Sequence, residues 1–424
     1  MKNKIYDLIW EKIEKYRSTQ KTFLDRVFGD VRFDLIEKHG LSIFGAGVVA
    51  NELLRALQNN KINVRNFVVS KLLDKTETQS IDIISIEHFI EEYSDSYLLI
   101  GVSSNEDEIV KELLSRGIRE SKILRLNYDL IISAAIADPT QTMVLELMEI
   151  GKDAIVEKIK NDANQIEQAY NCLADERSKS LFIEKLIALI EFENVNCLGA
   201  FLTAHSEPVK KFGAKPLLEL GFSESYFYFN NEFDFCKEKK QSLVDIGAYD
   251  GCSTLAFSRM CLQKDLSYKV VAFEPDPNNM KILLKNTEGD KDIISINAGI
   301  WSSATKLRFK SSNKFLLKSS SEINENGDIY VDVAPLQEFP LSRPVTIIKA
   351  DPPRLEVALN VLTGCHQTIK EDLPILIFPA YHSFDAIYKM PLAISSLNLG
   401  YKIYLRHLSW SIGETDVFAI PPKN

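Results

Sequence analysis

At 424 residues with a formal net charge of −9, the chain is too long for one compact core and too acidic for a broad nucleic-acid surface. Hydrophobic residues make up 45% and charged residues 26%, as in ordinary globular proteins, so two or three domains are expected. The six cysteines (Cys172, Cys197, Cys236, Cys252, Cys261 and Cys365) form no Cys-x-x-Cys pair, which argues against a disulfide framework or a zinc site and for a reducing, cytoplasmic setting.

The first segment, Met1 to Arg17, mixes Lys and Glu and lacks the apolar centre of a signal peptide. Ile5 to about Phe28 reads as an opening amphipathic helix. A strand follows at Leu41 to Phe44, then Gly45-Ala46-Gly47 opens a helix through Asn51 to Leu57. Val64 to Val69 and Tyr97 to Val102 read as further strands, with Ser103-Ser104-Asn105 before a helix start at Glu106. The longest of these apolar runs is far too short to span a bilayer. This rhythm makes residues 1–135 a Rossmann-like α/β domain. Gly45-x-Gly47-x-x-Ala50 is a dinucleotide-type turn, but Val69-Ser70 stands where a ribose-binding acid belongs, so a sugar-nucleotide site or a structural role is favoured over NAD.

Residues 136–220 read as a helical linker region packed under the following domain. Met143, Leu145, Leu147, Met148 and Ile150, then Leu181, Ile183, Leu186, Ile187 and Ile190, form core stripes. Tyr226 to Phe229 reads as a lid strand packing on the next domain, in preference to a substrate wall. Residues 221–424 then form a second α/β domain.

That domain opens with Leu243-Val244-Asp245-Ile246-Gly247-Ala248-Tyr249-Asp250-Gly251, an apolar strand, an acid and a glycine turn before a helix at Ser253 to Met260. The next strand, Lys269 to Phe273, ends in Glu274-Pro275-Asp276. A glycine turn leading into a helix lets a ligand approach the main chain closely. The Asp-x-Gly-x-x-x-Gly spacing differs from the phosphate cradle of NAD enzymes. It suits S-adenosylmethionine, whose amino-acid head would face Asp245 and the turn while Glu274 accepts from both ribose hydroxyls. Strands recur at Ile293 to Asn297, Thr346 to Lys349 and Ile375 to Phe378. Lys402 to Arg406 and Asp416 to Ile420 are joined too closely for a parallel return and predict an antiparallel pair.

Together with Asn297-Ala298-Gly299-Ile300-Trp301, Tyr381-His382 and Gly400 to His407, these motifs resemble FkbM-type methyltransferases across roughly Tyr226 to Pro422. The resemblance implies a class I methyltransferase sheet, mostly parallel with a C-terminal antiparallel hairpin. It implies an S-adenosylmethionine-dependent O-methyltransferase acting on a carbohydrate or sugar-linked hydroxyl in glycan or polysaccharide biosynthesis. It also puts Asp245, Gly247, Ala248, Tyr249, Asp250 and Gly251 around the methionine moiety, Glu274 with Pro275 at the ribose, and Asn297 and Ala298 beside the adenine. Trp301 is read as core. Such a protein has a glycan acceptor and no nucleic-acid partner, and a homo-oligomer is left open.

One departure stands out. The family's Asp-(Ile/Val)-Glu-Gly-x-Glu turn reads Asp351-Pro352-Pro353-Arg354-Leu355-Glu356 here, so a proline replaces the middle acid and Arg354 the glycine. Two prolines restrict φ and remove two N–H donors. Either the acceptor pocket is re-specified, with Arg354 meeting an anionic group, or the domain keeps a binding or scaffold role in glycan assembly without catalysis. If it is active, His382 is the base for a hydroxyl acceptor, with Asp351 as base, orienter or ion ligand. No ligand pair has metal-binding spacing, and no metal is expected.

Overall fold

The computed structural model describes residues 4–18, 33–59, 61–71, 81–102, 106–125, 150–192, 194–212, 225–229, 233, 235, 239–310, 322–323, 327, 329–409 and 412–422. The expectations placed on Ser103 to Asn105, on Met143 to Met148, on Cys236 and on the opening helix beyond Ser18 lie outside those residues.

The chain begins with α1 (Lys4–Ser18) and continues through α2 (Phe33–His39), β1 (Leu41–Phe44), α3 (Val48–Asn59), β2 (Val64–Val69), β3 (Asp82–Ser85), α4 (Ile86–Tyr93), β4 (Tyr97–Ile100), α5 (Glu106–Ser115) and β5 (Ile123–Leu124). The five strands are all parallel in the order β3-β2-β1-β4-β5, the winding of a Rossmann-like sheet. β1 and β4 are buried on both faces, which is why they read as continuous apolar runs rather than alternating ones. β3, α4 and β5 escape the sequence reading. Ser85 starts α4 by accepting from the His88 N–H.

A helical layer follows, comprising α6 (Lys152–Asn161), α7 (Ala163–Cys172), α8 (Glu176–Ile190), α9 (Val195–His205), α10 (Glu207–Phe212) and the short α11 (Ser225–Phe229). The aromatic run at Tyr226 to Phe229 is therefore a helix, not the expected lid strand. Phe227, Tyr228 and Phe229 are buried against the rear sheet, so burial on one side overrides the strand preference of aromatic residues.

The rear domain comprises β6 (Lys240–Ile246), α12 (Cys252–Gln263), β7 (Ser267–Phe273), α13 (Pro277–Asn286), β8 (Ile293–Ile296), β9 (Gly299–Ile300), β10 (Thr305–Lys310), β11 (Glu322–Ile323), β12 (Ile329–Ala334), β13 (Ile347–Ala350), α14 (Leu355–Asp372), β14 (Ile375–Pro379), α15 (Ala386–Ser395), β15 (Lys402–His407) and β16 (Thr415–Ile420). Its seven strands run β15-β16-β14-β13-β6-β7-β8. The first five in sequence are parallel, and β16 is antiparallel to both β14 and β15. This is the class I methyltransferase arrangement with its terminal hairpin. An insert not expected from sequence forms a second sheet, β11-β10-β12-β9, standing over the C-terminal ends of β7 and β8.

One continuous core joins the helical layer to one face of the rear sheet, from Leu181 and Leu186 to Val417 and Ala419. Charged groups stitch the same contact. Arg406 on β15, 1% exposed, reaches Asp175 at 2.8 Å and Ser178 at 2.9 Å. Lys185, fully buried, donates to the carbonyls of Ile412 and Gly413. The opening helix departs from its expected grouping with the front domain. Ile5, Ile9 and Ile13 pack into the helical-layer core, and Lys12 and Arg17 pair with Glu184 and Glu191 of that layer. Its apolar stripe needed a partner, and α8 rather than the front sheet supplies it. Among the described residues, no helix is long and apolar enough to cross a membrane.

Candidate active site

An open cleft of about 930 Å³, mouth included, lies outside the carboxyl ends of β6, β7, β8 and β13. Its floor is the glycine turn after β6. Gly247 has φ +73, and a Cβ there would stand 2.9 Å from the Asp351 carbonyl oxygen, so the turn needs glycine both for its backbone and for the close approach of β13. Tyr249 also adopts positive φ, at 51, a conformation disfavoured for a bulky residue and held by a bond from its N–H to Glu274.

Glu274, at the tip of β7, is 4% exposed and lines the cleft. It accepts from the Tyr249 N–H at 2.8 Å and the Asp276 N–H at 2.9 Å. Burial nonetheless pushes its carboxyl up to about 7. Asp276 turns away to cap α13, accepting from the Asn278 N–H with Pro277 in the first helical turn.

Of the residues singled out from sequence, Gly247, Tyr249, Glu274, Pro275, Ala298 and Asp351 line the cleft. Four others do not. Asp245 is fully buried beneath the turn, where its Oδ2 accepts from Ser253 and Thr254 at 2.7 Å each and its Oδ1 faces Lys349 at 3.4 Å. Asp250 accepts from the N–H and thiol of Cys252. Gly251 forms the N-cap of α12 with φ +84. Asn297 ties the loop, donating to the carbonyls of Glu274 at 2.7 Å and Pro275 at 3.1 Å. Ala248, 3% exposed, points into the core.

Sequence reasoning missed the apolar half of the cleft. Trp301, read as core, stands on the wall with Phe309, Val331 and Val333 of the insert sheet and Val357 and Val361 of α14. Asn279, on α13, reaches toward Glu274 at 3.5 Å.

On the opposite side, Asp351 gathers three partners. Its Oδ1 accepts from the Tyr381 hydroxyl at 2.9 Å and meets His382 Nε2 at 3.2 Å, and its Oδ2 stands 3.9 Å from Lys349 Nζ. Although burial opposes it, the Lys349 ammonium, His382 and Tyr381 hold the Asp351 carboxyl down to about 2. An ionised carboxylate only accepts, so a neutral His382 is assigned its proton on Nε2 and its lone pair on Nδ1. Pro352 and Pro353 line the cleft beside Asp351, whereas Arg354 is exposed at the N-cap of α14 and does not line it. His407 is fully buried, with Nδ1 2.8 Å from Thr415 Oγ1, which makes it part of the hairpin's packing. Among the described residues, no group of three or more His, Cys, Asp or Glu side chains is arranged to hold a metal ion.

The sheet order and the carboxylate-tipped cleft define a class I methyltransferase fold. The rear part of this chain is an FkbM-type methyltransferase domain, since residues 245–403 match the family model described as Methyltransferase FkbM domain. Residues 38–124 match a second family model, C2185-like, N-terminal. Among solved structures, methyltransferase FkbM from Methylobacillus flagellatus KT overlays with TM-score 0.56 at 19% identity, covering 98% of this chain and 99% of that one. A shorter overlay is found with fibrillarin from Aeropyrum pernix in complex with natively bound S-adenosyl-L-methionine (TM-score 0.31, 14% identity, 46% of this chain and 73% of that one). No curated protein matches the sequence.

Proposed function

We propose that the rear domain is an S-adenosylmethionine-dependent O-methyltransferase whose acceptor is a hydroxyl of a carbohydrate or sugar-linked compound in glycan biosynthesis. The observation that carries this reading is the presence in one cleft of Glu274 and Asp351, the latter bonded to Tyr381 and His382, which do not themselves line it. The residues present fit the cofactor: a glycine turn at Gly247 lining the cleft, a buried carboxylate for a ribose diol, and an apolar wall at Ala298 and Trp301 for an adenine. When bound, S-adenosylmethionine supplies an electrophilic methyl group. Gly247, Tyr249 and Glu274 would hold it, and Asp245, sealed beneath the turn, would shape the turn rather than touch the ligand.

A sugar hydroxyl is a poor nucleophile near neutrality, so a base must take its proton as the new bond forms. His382 takes that proton on Nδ1, while Asp351 holds Nε2–H and stabilises the resulting imidazolium. Tyr381 fixes the carboxylate from a second direction.

Titration with S-adenosylhomocysteine tests the binding half of the reading. The wild-type chain binds it, and Glu274→Gln weakens binding at least about tenfold through loss of a charged acceptor. Methyl transfer to a panel of nucleotide sugars tests the rest, with His382→Ala lowering turnover by about two to four orders of magnitude. A wild-type protein that does not bind S-adenosylhomocysteine would falsify the assignment.

A second reading rests on Pro352 and Pro353, which present no acid to the cleft where the family usually places one. On that reading the domain binds cofactor as a scaffold component, and no acceptor in the panel is methylated.

A further inference from the structure

We propose that Lys349 is a positioning residue that ties the cofactor turn to the acceptor base, an inference that rests on the Asp351–His382 reading above. Lys349 lies on β13 directly opposite Asp245 on β6, two residues before Asp351, which directly follows the strand. It is 3% exposed. Asp245 Oδ1 stands 3.4 Å away, Ser253 Oγ 3.4 Å, Asp351 Oδ2 3.9 Å, and the Tyr228 ring centroid 5.5 Å.

A buried cation needs one anionic partner, and Asp245 alone satisfies that need. The second carboxylate has a different use. Asp245 is already bound by the hydroxyls of Ser253 and Thr254 in the first turn of α12, so Lys349 is fixed on the cofactor side. From that anchor it faces the oxygen of Asp351 that His382 and Tyr381 leave open. The carboxylate is thus held at both oxygens, stays ionised, and keeps the Nε2–H tautomer of His382.

The other charged groups around Asp351 do not replace this contact. Asp416 on β16 is 1% exposed, and burial together with the nearby Asp351 raises its carboxyl well above the usual range. Lys185 faces Asp416, and Tyr228, Glu414 and Asp416 face Tyr381. Among the described residues, Lys349 is therefore the lysine that stands against Asp351, from the strand that leads into it.

Removing Lys349 alone would strand Asp245 as a buried unpaired charge and destabilise the fold. The informative variant is Lys349→Met combined with Asp245→Asn, which removes both buried charges and leaves Asp351 without its lysine. The full-length protein, labelled with ¹³C at aspartate carboxyls, is titrated from about pH 7 to about pH 4, a window bracketing the ordinary Asp value. The Asp351 signal is identified by its loss in Asp351→Asn. In the wild type Asp351 takes no proton in this window. In the paired variant its proton affinity rises at least about a hundredfold, a shift of two pK units or more from about 2, bringing protonation into view at the acid end of the window. In Lys349→Arg, which keeps the charge, Asp351 stays ionised.

A folded paired variant whose Asp351 remains unprotonated overturns the proposal and leaves Lys349 as a partner of Asp245 alone. A wild-type Asp351 that protonates within the window overturns it without any variant. S-adenosylhomocysteine titration of the wild type keeps the two readings apart: absent binding removes the methyltransferase assignment, while the Asp351 titration still decides the role of Lys349.

Discussion

At the scale of single residues, Glu274 makes the sharpest claim. Its carboxyl is raised to about 7 by burial, so the protonated form is favoured in the folded protein and the charged form must be restored to accept from a diol. The sign follows from linkage: a raised carboxyl stabilises the fold below its unfolded value near 4.5, and that contribution is lost as pH rises through about 7. Ligand binding runs the other way, because the ionised acceptor is the stronger one. S-adenosylhomocysteine affinity should therefore climb between pH 6 and pH 8, by up to about tenfold per unit below the midpoint, and flatten above it. In Glu274→Gln the affinity should show no such slope. Calorimetry across this range is the check, and a flat wild-type profile would mean that Glu274 does not meet the ligand in its charged form.

At the scale of elements, the cleft wall depends on how α14 sits against β9. A Cβ at Gly364 would come within 2.3 Å of the Trp301 carbonyl oxygen, so the glycine lets the helix lie directly on that strand. Gly364→Ala gains about 1 kcal/mol of helix propensity but forces backbone apart, with an overpacking cost of about 1–3 kcal/mol. The expected result is a lower unfolding midpoint together with weaker S-adenosylhomocysteine binding, because Trp301 moves with the strand. A variant that is more stable and binds normally would show that the contact is loose.

The same wall shows where sequence stops being informative. The turn after β6, the acid at the tip of β7 and the closing hairpin were legible because each is written in adjacent residues. The insert sheet was not, since Thr305 pairs with Val333 across a long separation and its short strands carry weak alternation. Nor was the inward turn of Asp245, which depends on Lys349 from the neighbouring strand. Trp301 was read as core for a similar reason: a large apolar residue next to a strand looks the same whether a helix or a ligand covers it.

At the scale of the whole molecule, apolar clusters divide the chain differently from its linear order. The front sheet has its own two cores, around Leu41 and Phe67 and around Val68 and Phe89, whereas α1, the helical layer and the rear sheet share another. A variant lacking residues 33–125 should therefore keep S-adenosylhomocysteine affinity within about twofold of the full chain, since separate cores fold as separate units. Removing residues 152–190 should instead abolish soluble protein, because the rear sheet loses the cover over Ile403, Leu405 and Val417. Loss of binding in the first variant would show that the front domain supports the cleft. The seating of α1 has one more consequence, which concerns synthesis. Lys12 waits for Glu184, 172 residues later, and at about 5–20 residues per second that is roughly ten to thirty seconds on the ribosome. Throughout that interval Ile5, Ile9 and Ile13 lack their native cover, so the nascent chain carries an exposed apolar stripe until α8 emerges to claim it.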